Sequence, residues 1–168
     1  MKKTKKIAFI GLMLAIIAAL SALEHTLPPL PFLPPNVKLG LSNIITMYCV
    51  FFVSRAQAVT LNVAKSFFVL LMRGPIAAAL SFCGGMLSIG IIILLIVIFR
   101  ERISYTAVSV AGAISHNIGQ FIAVSVILYS PYIIYYLPVL IVSGVIMGAV
   151  TGTLLKVVLP VLDNIDHI

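Results

Sequence analysis

Charge is the scarcest resource in this sequence. Asp, Glu, Lys and Arg make up 9% of its 168 residues, and four residues in all are acidic. A soluble domain carries ~25% charged residues, so this chain cannot clothe a water-facing surface. Tryptophan is absent. The two cysteines, Cys49 and Cys83, lie inside apolar runs, make no metal-ligand spacing and call for no disulfide. The acids Glu24, Glu101, Asp163 and Asp166 are scattered. Carboxylate clusters that could hold Mg²⁺ and a diphosphate are therefore missing, as is a Walker A phosphate loop. Neither catalysis, a cofactor nor a metal is expected, and any ATP hydrolysis linked to the chain must come from a partner.

What remains is apolar: 62% of the residues, with a mean hydropathy of +1.23. Such a composition implies an all-α integral membrane protein. A spanning helix needs ~20 apolar residues, so six would use ~120 and leave short loops. The spans read as residues 7–23, 37–53, 56–72, 74–99, 103–128 and 132–159, forming a single membrane domain over 1–168. The fourth is interrupted near its middle by Gly84-Gly85. A cleaved signal peptide could also begin like the first span, with Ala19-Leu20-Ser21 as a cleavage site, but the apolar run is longer than a usual signal core. Between the first two spans lies a segment, 24–35, that holds five of the nine prolines. Prolines fix φ and lack a donor, so a stiff, non-helical loop is expected there.

The net charge of +7 could suggest nucleic acid in a soluble protein. Here the charges flank apolar runs, so topology explains them and no nucleic-acid partner is expected. With the N-terminus in the cytoplasm, Lys2, Lys3, Lys5, Lys6, Arg55, Arg100, Arg102 and Lys156 fall inside, against Lys38 and Arg73 outside. This bias predicts a plasma-membrane protein with both termini cytoplasmic. Tyr129, Tyr132, Tyr135 and Tyr136 then form an aromatic belt at the outer interface.

Under that topology the polar residues gather in the outer half. Asn36, Lys38 and Asn43 lie high on the second span, and Lys65 lies midway along the third. His116 and Asn117 sit ~20 Å up the fifth at 1.5 Å per residue, and Gln120 is one turn higher. Glu24, His25 and Arg73 close the outer ends. Gly112, Ser115, His116, Gly119 and Gln120 share one helical face, as do Asn36, Gly40, Asn43 and Met47. Ser81, Gly84, Gly85 and Ser88 give a small-residue stripe suited to close helix approach. The inner half has almost no polar residues, which favours an outward-facing pocket over a channel. Asn36, Lys38, Asn43, Lys65, His116, Asn117 and Gln120 are the candidate substrate-binding residues, and an anionic or oxygen-rich small molecule suits them.

Blander roles compete for several of these residues. Asn43 fits an interhelical hydrogen bond, Lys38 can snorkel to the surface, and Ser81 and Ser88 fit plain packing. Lys65 is the hardest to dismiss, because a mid-span lysine is expensive and faces a partner or a cavity. Backbone carbonyls near Gly84-Gly85, or the side chains of Asn117 and Gln120, are its expected acceptors.

Two stretches carry a family resemblance. Pro35-Asn36-Val37-Lys38-Leu39-Gly40-Leu41-Ser42-Asn43 and Ser109-Val110-Ala111-Gly112-Ala113-Ile114-Ser115-His116-Asn117-Ile118-Gly119-Gln120 resemble signatures of the Gx transporter family. Ser81 to Ser88 fits a third, weaker one. That family also goes by the name heptaprenyl diphosphate synthase component I, and it is similar to the substrate-binding S components of energy-coupling factor (ECF) importers. The resemblance implies six helices and an outward pocket, a coupling membrane subunit and two ATPase subunits as partners, and a substrate such as a vitamin or a quinone or isoprenoid precursor. It also implies docking of the coupling subunit on an Ala-x-x-x-Ala element, which Ala15/Ala19 and Ala18/Ala22 both fit. The family's other name implies a non-catalytic accessory component of a prenyl synthase. A structural subunit of a membrane redox complex is a third possibility.

Overall fold

Six α-helices follow one another in the computed structural model, which describes residues 3–26, 40–129 and 131–166. They are α1 (Lys3–Thr26), α2 (Leu41–Tyr48), α3 (Arg55–Arg73), α4 (Pro75–Phe99), α5 (Tyr105–Leu128) and α6 (Leu137–Asp166). A π-helical turn, Cys49–Val53, extends α2, and 3₁₀ turns at Arg100–Arg102 and Pro131–Tyr136 precede α5 and α6. No strand occurs among the described residues.

Each expected span overlaps one of these helices, α6 running on to Asp166 beyond the expected 159, and three further differences stand out. The second helix begins at Leu41, behind Gly40. Gly40 adopts φ +71°, a left-handed conformation that glycine enters without steric cost. The sixth helix begins at Leu137 rather than 132, because the preceding six residues wind as a tighter 3₁₀ turn. Finally, α4 runs unbroken through Gly84-Gly85. The helix cost of these glycines is offset by the close tertiary contacts their missing side chains permit.

Four stretches are long and apolar enough to cross a membrane: Ile7–Glu24 in α1, Pro75–Phe99 in α4, Tyr105–Leu128 in α5, and Ile134–Val157, which joins the end of the second 3₁₀ turn to α6. The apolar run Ser42–Val53 is shorter. At 1.5 Å per residue it covers ~18 Å of a ~30 Å hydrocarbon core. α3 has 19 residues but turns Gln57, Asn62, Lys65 and Ser66 into the protein. Its polarity is directed inward, while Val63, Phe67 and Leu71 face out. The chain is an all-α membrane protein.

Lipid tails are as apolar as leucine, so close packing has to hold such helices together. α4, α5 and α6 form the most extensive contacts, and α1 rests on α2 and α3. Glycines set the spacing. A Cβ on Gly84 would lie 2.8 Å from the His116 carbonyl oxygen, and one on Gly119 would lie 2.7 Å from the Cys83 carbonyl oxygen. On α6, Gly144, Gly148 and Gly152 repeat every four residues, and each faces the backbone of α5. Around the π-turn, Tyr48 stacks on Phe52 at 5.3 Å and Phe51 meets Tyr105 edge-on at 5.1 Å. Met13, Ile17, Tyr48, Leu61 and Leu155 form the most deeply buried part of the core.

Candidate ligand-binding site

The helices enclose a cavity of about 290 Å³. That is close to the lower bound of the ~300–1,000 Å³ typical of small-molecule sites. It runs from Glu24 and Arg73, at one end of the bundle, past Lys65 and His116 to Ile92, Ser109 and Thr151. All six helices supply polar residues to its wall: Ser21 and Glu24 from α1, Asn43 from α2, Asn62 and Lys65 from α3, Ser81 and Ser88 from α4, His116 and Gln120 from α5, and Thr151 from α6.

Lys65 is 7% exposed, and its Nζ donates to Asn43 Oδ1 at 2.8 Å. The expected acceptors were carbonyls near Gly84-Gly85 or the side chains of Asn117 and Gln120. Asn43, on α2, is an acceptor outside that expectation, because the lysine lies on the face of α3 turned toward that helix. Asn43 thereby joins two helices, and it lines the cavity.

One turn before Lys65, Asn62 Nδ2 donates to the Phe82 carbonyl at 3.3 Å. A Cβ on Gly85 would collide with the Asn62 side chain. Gly85 therefore admits the asparagine into α4, which explains one of the paired glycines.

His116 Nε2 lies 3.2 Å from Gln120 Nε2, one turn apart on α5. His116 Nδ1 is buried and makes no well-aligned hydrogen bond among the described residues. Asn117 also lines the cavity, but its Nδ2 donates to the Leu140 carbonyl at 2.8 Å and reaches Ser143 Oγ at 3.4 Å. Its amide nitrogen therefore ties α5 to α6.

The polar wall reaches further than the sequence suggested. Ser88, Ser109 and Thr151 line the end away from Glu24 and Arg73. Ser109 Oγ and Thr151 Oγ1 are 2.9 Å apart. The expectation of almost no polarity there considered charges and amides, and small hydroxyls on packed helices escaped it. Thr46 and Asn62 were also missed as wall residues. Asn62 is signalled by its place one turn from Lys65, whereas nothing in the sequence marks Thr46. Asn36 and Lys38 lie outside the described residues, as does most of the Pro-rich segment. On α1, Ala15, Ala19 and Ala22 are exposed and Ala18 is half-buried, so three of the four candidate docking alanines lie on an open face.

No curated relative and no solved structure matches the chain. A family model described as heptaprenyl diphosphate synthase component I matches residues 13–158. This range reaches into every helix that lines the cavity. With most of its length inside that match, the chain belongs to the heptaprenyl diphosphate synthase component I family.

Proposed function

We propose that the protein is a non-enzymatic, membrane-embedded binding subunit for a small anionic or oxygen-rich molecule, and that it serves an importer of the ECF type. The observation that carries this reading is Lys65, a buried ammonium in the wall of an internal cavity. An ammonium at mid-membrane costs at least ~2.5 kcal/mol on insertion scales, which a purely structural bundle has no reason to bear. Three lining residues carry formal charge, Glu24, Lys65 and Arg73, so the wall is net cationic by one. Asn43, His116 and Gln120 add directional hydrogen bonds around the lysine. The exposed faces of Ala15, Ala19 and Ala22 leave room for close approach by a coupling helix. Import would need a coupling membrane subunit and two ATPase subunits.

Lys65→Met removes the charge and keeps much of the stem. Native mass spectrometry is expected to find a small anion bound to the wild-type protein and none on Lys65→Met, with affinity falling at least tenfold, ~1.4 kcal/mol. A Lys65→Met protein that retains the anion would sink the reading.

The family description favours a second reading, an accessory component that works beside a prenyl diphosphate synthase. Affinity purification from membranes separates the two. Coupling and ATPase subunits support import, whereas a soluble prenyl synthase supports the accessory role.

A further inference from the structure

The cavity carries two unused hydrogen-bonding atoms besides its cationic wall. Thr46 is 7% exposed and lines the cavity, and its Oγ1 is buried with no hydrogen-bond partner among the described residues. Ser125 Oγ is likewise buried without a partner among the described residues, but it does not line the cavity. Thr60, Ser66, Ser115, Thr151 and Thr153 each donate to the carbonyl four residues earlier, a bond open to any helical threonine or serine. Thr46 makes no such bond. His116 Nδ1, on the same wall and beside the Gly84 backbone, is a second buried atom that makes no well-aligned hydrogen bond. Leaving a buried polar atom unmatched is costly, so two of them on one cavity point to an absent ligand group. A threonine hydroxyl and an imidazole nitrogen can each donate or accept, as can a hydroxyl on a ligand. Thr46 is three residues along α2 from Asn43, the partner of Lys65, a rise of ~4.5 Å. The station for a neutral group is therefore separate from the station for an anion. Ile44, Met47, Leu80 and Met147 give the wall an aliphatic lining. A volume of about 290 Å³ lies near the lower bound for small-molecule sites, which suits a compact body.

We propose that the ligand is a compact hydroxy-acid, with its oxyanion held at Lys65 and its hydroxyl held by Thr46 and His116. This rests on the reading of the cavity as an anion-binding site. The test is calorimetry on the detergent-solubilised full chain with 4-hydroxybenzoate, benzoate and 4-hydroxybenzyl alcohol. The first carries both groups on one compact ring. The second lacks the hydroxyl, and the third lacks the oxyanion. The wild type is expected to bind 4-hydroxybenzoate about tenfold more tightly than benzoate, and at least tenfold more tightly than the alcohol. Thr46→Val should bind 4-hydroxybenzoate and benzoate within about twofold of each other, and Thr46→Ser should restore the discrimination. If Thr46→Val fails to fold, the wild-type series decides alone. Equal binding of benzoate and 4-hydroxybenzoate overturns the hydroxyl station while leaving the anion-binding reading intact. Binding of farnesyl diphosphate in place of all three overturns the compact ligand. No binding of any of these probes at millimolar concentration overturns the proposal.

Discussion

An ionised side chain in the hydrocarbon core needs acceptors, water or a ligand, and this need made Lys65 legible before any coordinates. Its partner was not legible. Asn43 lies 22 residues away in sequence, and which helix face meets which is decided by packing rather than by spacing. Asn117 marks the same limit from the other side. Its polarity was plain, but the rotation of α5 sends its amide nitrogen to the Leu140 carbonyl of α6. Thr46 gave no signal, because threonine is ordinary in membrane helices and only the missing bond to a neighbouring carbonyl singles it out. The Lys65–Asn43 bond makes a testable pair. A hydrogen bond to a charged group contributes ~1.5–3 kcal/mol, so Asn43→Ala should destabilise the ligand-free protein by about that amount. In a Lys65→Met background the same change should cost well under half as much, because the shared bond is already gone. Equal costs in the two backgrounds, measured by denaturant unfolding in mixed micelles, would deny the bond an energetic role.

Helices were the most legible level of this molecule, since runs of ~20 apolar residues separated by charges or prolines have few other solutions in lipid. The break expected at Gly84-Gly85 follows from helix propensity, whereas the small-residue stripe from Ser81 to Ser88 points to the unbroken, closely packed α4. Lipid-embedded helices gain from contact what glycine loses in propensity, and α4 uses both glycines for contact. The Gly144, Gly148, Gly152 repeat carried the same information and went unused, although its four-residue spacing is a recognised contact pattern. Two glycines separate contact from propensity. A Cβ on Gly119 would press on Cys83 and Gly84 backbone atoms, at 2.7 Å and 2.8 Å from the nearest, while one on Gly90 would meet nothing within 4 Å. Gly119→Ala should therefore destabilise by ~1–3 kcal/mol through overpacking. Gly90→Ala should be neutral or stabilise by up to ~1 kcal/mol through helix propensity. Thermal melts of the two variants check the contrast, and similar melting temperatures would mean that α4 and α5 can separate cheaply.

At the scale of the whole molecule, charge and aromatic residues divide the bundle into two unlike ends. Arg55 opens α3, and Arg100 and Arg102 occupy the link between α4 and α5. All three are exposed. At the opposite end of α5, Tyr129 is 87% exposed and is followed by the exposed Tyr135 and Tyr136 before α6. Arginine and lysine are retained on the cytoplasmic side of short loops, while tyrosine settles at interfaces. We propose that the arginine-rich end lies in the cytoplasm, together with both termini, which would turn the cavity end bordered by Glu24 and Arg73 outward, as an importer requires. Cysteine scanning tests this in a Cys49→Ala, Cys83→Ala background, which is needed because Cys83 is exposed. Tyr129→Cys should react with a membrane-impermeant maleimide in intact cells, and Arg55→Cys should react only after permeabilisation. The reverse pattern would turn the cavity mouth toward the cytoplasm. Uptake from outside would then be untenable, and an accessory role beside a soluble prenyl synthase would fit better, because the ligand would be exchanged on the side where that enzyme works.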